Sequence, residues 1–235
     1  MRKWLLLLTV ACAHKEPPPP AEPVRQTAAP EPAPAQPDDE IKVSGTLGTL
    51  NDDEINGPFQ RRWDDITRCY QAAQAKLPYL GGRLELKVRV GQGGDPKKVY
   101  VSSSNIGNYE AEKCILGVAR ELSFGRPHGG SEAEFTYPLE FRQQRPVSPW
   151  EGDRLQVAKH RRDVSACKSK SPGGLPPAVT LTVYVAPGGK VASAGLSADA
   201  PLDDAFATCL VEKSRLWRLD DPLGRIAKAS AEVRE

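Results

Sequence analysis

Apolar residues recur along this chain with two periods. Leu84, Leu86, Val88 and Val90 alternate with polar or charged neighbours, Val179, Leu181, Val183 and Val185 alternate in the same way, and so do Ala133, Phe135, Tyr137, Leu139 and Phe141. A period of two predicts half-buried strands. A weaker alternation, Ala227, Ala229, Ala231 and Val233, predicts one more. Phe59, Trp63, Ile66, Tyr70 and Ala73 recur instead at helical spacing, as do Ala111, Cys114, Ile115, Val118 and Leu122. Each set predicts a helix with one core face. The stretches Gly91-Gln92-Gly93-Gly94 and Ala186-Pro187-Gly188-Gly189 join two strands directly, which makes both pairs antiparallel hairpins.

These elements occur twice. Aligning Cys114 on Cys209 places Leu122 on Trp217, Phe124 on Leu219 and Pro127-His128-Gly129 on Pro222-Leu223-Gly224 without a gap. The upstream strands and their Gly-Gly pairs fall into the same register, with Cys69 and Cys167 further upstream. Each copy therefore has the order helix with cysteine, strand, glycine turn, strand, helix with cysteine, loop, strand. Two helices on one face of a small antiparallel sheet is an α+β sandwich, so the fold expected is two tandem modules, 42–144 and 150–235. The Pro-rich piece Arg145 to Pro149 is the expected boundary between them.

The N-terminus reads differently. Arg2 and Lys3 precede a run from Trp4 to Ala11 that is apolar apart from Thr9, the order of a secretory signal. The run is too short to cross a bilayer core, which needs about 20 helical residues. It ends at Ala11-Cys12, which resembles a bacterial lipobox and makes Cys12 a lipidation site; the other reading is an ordinary small-x-small cleavage site, Ala11-Cys12-Ala13. The expected division is a signal peptide over 1–11 and a lipidated tether over 12–41. Nine prolines between His14 and Glu40 leave almost nothing to enter a core. Such a segment is extended polyproline II, disordered in the sense of having no packed fold, and at ~3.1 Å per residue it reaches on the order of 80 Å. Ala13 rather than Asp after the cysteine points to the outer membrane.

In an exported chain, thiols at matching places in two repeats are disulfides: Cys69 with Cys114, and Cys167 with Cys209. Four cysteines permit three pairings, and only this one closes each repeat on itself. Each bridge is expected to stabilise its module by roughly 4 kcal/mol. Cys12 is then the odd cysteine, consistent with an anchor. A zinc site is disfavoured, since there is no CxxC pair and no histidine close in sequence to any of the four.

Charge and candidate chemistry narrow the function. The formal net charge is +2, too small a field to collect nucleic acid. The three histidines, His14, His128 and His160, sit in no metal-pair or triad spacing and read as surface residues. The Gly91 to Gly94 loop is followed by a strand, whereas a phosphate cradle opens a helix. Asp64-Asp65 and Asp203-Asp204 lie early in helices or on polar faces, where a solvated carboxylate stabilises the helix dipole. Arg154, Lys159, His160, Arg161, Arg162, Lys168 and Lys170 make the first helix of the second module basic, with Asp153 and Asp163 interleaved. No catalytic, cofactor-binding or metal residue stands out.

Residues 42–142 resemble a known family. The segments that carry the likeness are Gly45-Thr46-Leu47 leading to Ile55, Arg68-Cys69-Tyr70-Gln71, Gly82-Arg83-Leu84, Val99 to Ser104, Glu112-Lys113-Cys114-Ile115, and Phe135 to Phe141. They look like the AgmX/PglI C-terminal domain, of the TonB C-terminal-like group, abundant in myxobacteria. Residues 150–235 look like a diverged second copy, with Trp217-Arg218-Leu219 near the family's Trp-x-Phe. The first copy departs in carrying Leu122 where the family often has Trp, and the second lacks the Tyr after its first cysteine. The resemblance implies a periplasmic binding module, associated in some members with gliding motility and envelope machines, and no reaction. The expectation is thus a non-enzymatic envelope lipoprotein that acts as a protein–protein interaction scaffold, its partners other envelope proteins reached by β-strand addition at open sheet edges. The alternative is an envelope lipoprotein that binds peptidoglycan or lipopolysaccharide through its basic second module. In either case the membrane is reached through the lipid anchor only, and no cofactor is required.

Overall fold

Asn51 opens the first helix with a reciprocal cap. Its side chain accepts from the Glu54 N–H at 2.9 Å, and the Glu54 carboxylate accepts from the Asn51 N–H at 2.8 Å, so two helix-end donors are satisfied at once. The computed structural model describes residues 47–233; the signal segment 1–11, Cys12, His14 and the tether to residue 41 lie outside them. The first helix, α1 (Asp52–Arg61), buries Ile55, Pro58 and Phe59. It does not continue into the next. Arg62 takes non-helical angles, φ −111° and ψ 16°, and α2 (Trp63–Gln74) starts afresh. The break resets the helical phase, so Ile66, Cys69 and Tyr70 face the core, whereas Trp63, expected there too, is 43 % exposed. One continuous helix is thus corrected to two.

The first sheet has the order β2-β1-β3, from β1 (Gly82–Val90), β2 (Pro96–Ser104) and, after α3 (Tyr109–Arg120), β3 (Ala133–Phe141). All pairings are antiparallel. Leu84, Leu86, Val88 and Val90 of β1 are fully buried with Ile66, Ile115 and Phe135. The opposite face of β1 carries Arg83, Glu85, Lys87 and Arg89, half-buried and ion-paired within the sheet; Lys87 and Arg89 both reach Glu134.

The second sheet contains a similar hairpin. After α4 (Arg161–Lys168) come β5 (Val179–Ala186), β6 (Lys190–Ala198), α5 (Asp204–Ser214) and β7 (Ala227–Glu232). The register shift between Arg89 and Val90 recurs between Tyr184 and Val185. Gly94, at φ +87°, and Gly189, at φ +73°, each accept at their carbonyl a hydrogen bond from the loop after the second helix, from Phe124 N at 2.8 Å and Leu219 N at 2.9 Å. A Cβ at either glycine would lie 2.3 Å or less from a carbonyl oxygen of that loop, which leaves room for glycine alone. Disulfides Cys69–Cys114 and Cys167–Cys209 join α2 to α3 and α4 to α5, with Cα–Cα 5.6 Å in both.

The second half of the chain departs from the first in two ways. Ser148–Pro149, expected as part of a linker, forms the short strand β4, which pairs in parallel with β7, so the order is β4-β7-β5-β6 and the sheet is not purely antiparallel. The basic first helix is mostly two 3₁₀ turns, Gly152–Leu155 and Val157–His160, before the eight-residue α4. The described residues therefore form an α+β fold of five α-helices and two sheets. No helix among them is long and apolar enough to cross a membrane.

Candidate interaction site

The two sheets are joined by a seam built from the far face of β5. Val179, Leu181, Val183 and Val185 face the second core, but Thr182 and Tyr184, where β1 has charged Lys87 and Arg89, are also buried and face the first half of the chain. The Tyr184 ring enters the first core 5.2 Å from Tyr79, and its hydroxyl donates to Gly81 O at 3.0 Å. Conversely, Tyr109 of α3 packs on the second core. Burying one such ring contributes on the order of 2 kcal/mol, and the exchange ties both halves into one body.

Glu112 of α3 sits at the centre of this seam, 1 % exposed. Its carboxylate accepts from Ser104 Oγ at 2.7 Å and from the backbone N–H of Leu196 on β6 at 3.0 Å. The chain accommodates it through Gly195, where a Cβ would lie 2.4 Å from Glu112 Oε1. Beside it Asn108 caps α3 by accepting from Ala111 N, donates from Nδ2 to Ser193 Oγ at 3.0 Å, and Ser193 in turn donates to Gly107 O. Burial pushes the Glu112 carboxyl up to about 7, against the hydrogen bonds from Ser104 and the nearby backbone, which favour its charged form. Lys228 of β7 donates to Gly81 O at 2.7 Å, and burial pulls its ammonium down to about 8. At the rim, Lys113 pairs with Asp204 and Arg215 with Glu110.

The seam engages parts of three sheet edges. The outward Leu196 N–H of β6 is taken by Glu112, the Tyr100 side chain of β2 donates to Asp199 O just past β6, and Ala227 and Lys228 of β7 pair with β4. The far edge of the first sheet is β3. Beyond the bridge from Gly48 to Ala133, β3 pairs only with β1 among the described residues. Pro138 lies in its middle, and a proline is tolerated in a ladder only where its nitrogen faces away from the neighbouring strand.

A cleft of about 620 Å³ opens between α2 and α3. Ala72, Ala73, Val118 and the Cys69–Cys114 bridge line it, with Arg62, Arg68, Lys76 and Arg215 among the polar lining residues. Here the two bridges differ: Cys69 is 8 % exposed and Cys114 lies exposed on α3, whereas Cys167 is 0 % exposed and Cys209 half-buried.

The remaining candidates from the sequence are dispersed. His128 is exposed and bonds Glu54 at 2.8 Å. His160, expected on the surface, is instead stacked on Trp217 with centroids 4.0 Å apart, and burial lowers its pKa. Asp163 accepts from Trp217 Nε1 and Lys213. Arg154, Lys159, Arg161, Arg162 and Lys170 are exposed; Lys168 is half-buried. Asp65 is held by Arg62 and Arg68, and the Arg62 hydrogen bond keeps its carboxyl below the ordinary range. Asp203 precedes α5 and accepts from Ser171 Oγ. Among the described residues no three His, Cys, Asp or Glu side chains gather as metal ligands. Glu112, the most buried charge-bearing residue of the seam, did not stand out in the sequence. The available signal was its partner surface: Thr180, Thr182 and Tyr184 replace charges on β5, and Ala192 to Gly195 form a run of small residues on β6.

Comparison with protein-family models, with curated proteins and with solved structures finds no match in any of the three.

Proposed function

We propose that this chain is a non-enzymatic lipoprotein of the cell envelope, a scaffold of two tandem TonB C-terminal-like modules of the AgmX/PglI kind, anchored to the outer membrane at Cys12 and carried on the Pro-rich tether. It serves an envelope machine such as one for motility. The observation that supports it best is the pair of disulfide-closed halves joined by a buried polar seam, with β3 at the far edge of the first sheet. An envelope protein adds a strand there, held by main-chain hydrogen bonds on either side of Pro138, which itself offers no donor. Thr136 and Glu140 share Pro138's parity along β3, so their N–H groups also point away from β1. Thr136→Pro and Glu140→Pro should therefore leave the fold intact and abolish crosslinking to the partner in cells. Unchanged capture in both variants removes strand addition from the proposal. The anchor is tested separately, by incorporation of a clickable fatty acid into wild type and into Cys12→Ala.

A second reading is favoured by one observation, the exposed Arg154, Lys159, Arg161 and Arg162 within the turns and start of α4. Four cations so close together suit the anionic groups of peptidoglycan or lipopolysaccharide. Co-sedimentation with purified sacculi, lost on replacing these four by Gln, would favour glycan binding over the scaffold.

A further inference from the structure

The two disulfides are equivalent in the repeat but not in their surroundings. Cys167–Cys209 has one sulfur-bearing residue fully enclosed, Cys167 at 0 % exposure, in the core of its half. Cys69–Cys114 lines the open cleft between α2 and α3, and Cys114 is exposed to solvent. Thiol–disulfide exchange requires a thiolate to approach one sulfur in line with the S–S bond, so access selects the bridge and the sulfur attacked. The cleft also favours the departing group. Four cations, Arg62, Arg68, Lys76 and Arg215, line it against two carboxylates, Asp65 and Glu110, with a third, Glu121, paired to Arg62 from beside it, so one cation stays in excess. A net positive surrounding stabilises a thiolate.

We infer that Cys69–Cys114 is a thiol–disulfide exchange site whose co-substrate is an exported dithiol protein, attacking at Cys114 through the α2–α3 cleft. The partner's thiolate bonds to Cys114 Sγ as the Cys114–Cys69 bond breaks. Cys69 leaves as a thiolate and takes a proton from solvent. The partner's second thiolate then attacks its own sulfur in the mixed disulfide, releasing Cys114 as a thiolate that also protonates. Two electrons pass from the dithiol to this chain, and the partner departs as a disulfide. The reverse sequence reseals the bridge. Reduction unlinks α2 from α3 while Cys167–Cys209 and the seam stay intact, so the change is confined to the cleft. This inference rests on the proposed export for the compartment of its co-substrate, and stands apart from strand addition at β3 and from the lipid anchor.

The test uses the oxidised folded chain, with limiting dithiothreitol, quenching by alkylation and peptide mass spectrometry. Cys69 and Cys114 should become alkylated at least about tenfold faster than Cys167 and Cys209. Equal rates, or faster opening of Cys167–Cys209, overturn the inference. Thioredoxin with its second active-site cysteine changed to Ser is the trap. It should be captured on Cys114; capture on Cys69, or none, overturns the assignment. Ala72→Trp, at an exposed position lining the cleft, should slow opening of the first bridge and leave the second unchanged. An unaltered first rate would show that approach does not run through the cleft.

Discussion

The Glu112 carboxylate on α3 accepts the backbone N–H of Leu196 on β6 at 3.0 Å. One side chain of the first half thus takes up an outward amide on the edge strand of the second. It does so from a position 1 % exposed, where a charge is costly unless every lone pair is engaged. The Ser104 hydroxyl and the Leu196 amide supply donors, and Ser104 also accepts from Ile106 N and presents its carbonyl to Thr182 Oγ1. A satisfied buried network of this sort fixes one mutual orientation of the two sheets.

Acid should therefore strengthen this fold through Glu112. Its carboxyl lies at about 7 in the folded chain against an ordinary 4.5. Below 4.5 both folded and unfolded chains hold the proton, and the contribution is fully present. Between 4.5 and 7 only the folded chain holds it, so stability falls as pH rises, by on the order of 3 kcal/mol at most, and is level above 7. Lys228, pulled down to about 8 from 10.5, acts in the opposite sense above pH 8, and burial moves Tyr184 upward, away from this window. Guanidinium unfolding at pH 5 and pH 7.5 should show wild type losing stability relative to Glu112→Gln across the interval. A constant difference between the two proteins would refute the assignment.

Two glycines should respond in opposite directions to the same substitution. Gly195→Ala drives a methyl to within 2.4 Å of Glu112 Oε1 and 2.7 Å of Asn108 N. The seam has to part to admit it, at a cost of about 1–3 kcal/mol. Gly117 is inside α3 with nothing within 4 Å of its added Cβ. Gly117→Ala should stabilise by about 0.5–1 kcal/mol, because alanine loses less backbone entropy in a helix. Thermal melts of the two variants against wild type check both signs.

Much of the framework was legible because it depends on local pattern. The alternation in β1, β3 and β5, the glycine turns and the matching cysteines each reflect one residue's own backbone or burial preference. Trp63 was misread because Phe59, Trp63 and Ile66 keep helical spacing through Arg62, where the chain leaves helical angles. The break depends on how α1 and α2 meet the sheet, which periodicity does not encode. Ser148–Pro149 looked like a spacer, since a two-residue strand is too short to show alternation. Glu112 stayed hidden for a related reason: a charged residue in an amphipathic helix is read as solvated unless the surface covering it is known. That surface comes from the other half of the chain.

Tyr70 should matter more through its hydroxyl than a buried ring alone would suggest. It donates toward Leu80 O at 2.6 Å and lies 2.9 Å from Arg142 O, and it accepts from Gln74 Nε2 at 2.6 Å. The ring stacks on Phe141 at 4.4 Å. The hydroxyl therefore joins the end of α2, the entry to β1 and the exit from β3. Tyr70→Phe keeps the stack and leaves these polar groups partly unsatisfied, so a loss of about 1–3 kcal/mol is expected. Urea denaturation with an unchanged m value would measure it directly. The second half has Lys168 at the matching place.

The Cys167–Cys209 bridge should be the stronger structural staple. It closes a segment of 42 residues, and the stretch that leads into it, the two 3₁₀ turns and α4, has few buried residues: Leu155, Val164 and Cys167. Without the bridge, that part is held chiefly by Leu155, Val164, the His160–Trp217 stack and the bonds from Trp217 and Lys213 to Asp163. Cys167→Ala with Cys209→Ala should cost about 4 kcal/mol if the bridge acts by restricting the unfolded chain, and amide exchange should accelerate first over 152–168. β5 and β6 should remain protected, because Tyr184, Thr182 and Leu196 still fasten them to the first half. Uniform loss of protection across both sheets would mean that the seam, and not the bridge, depends on α4.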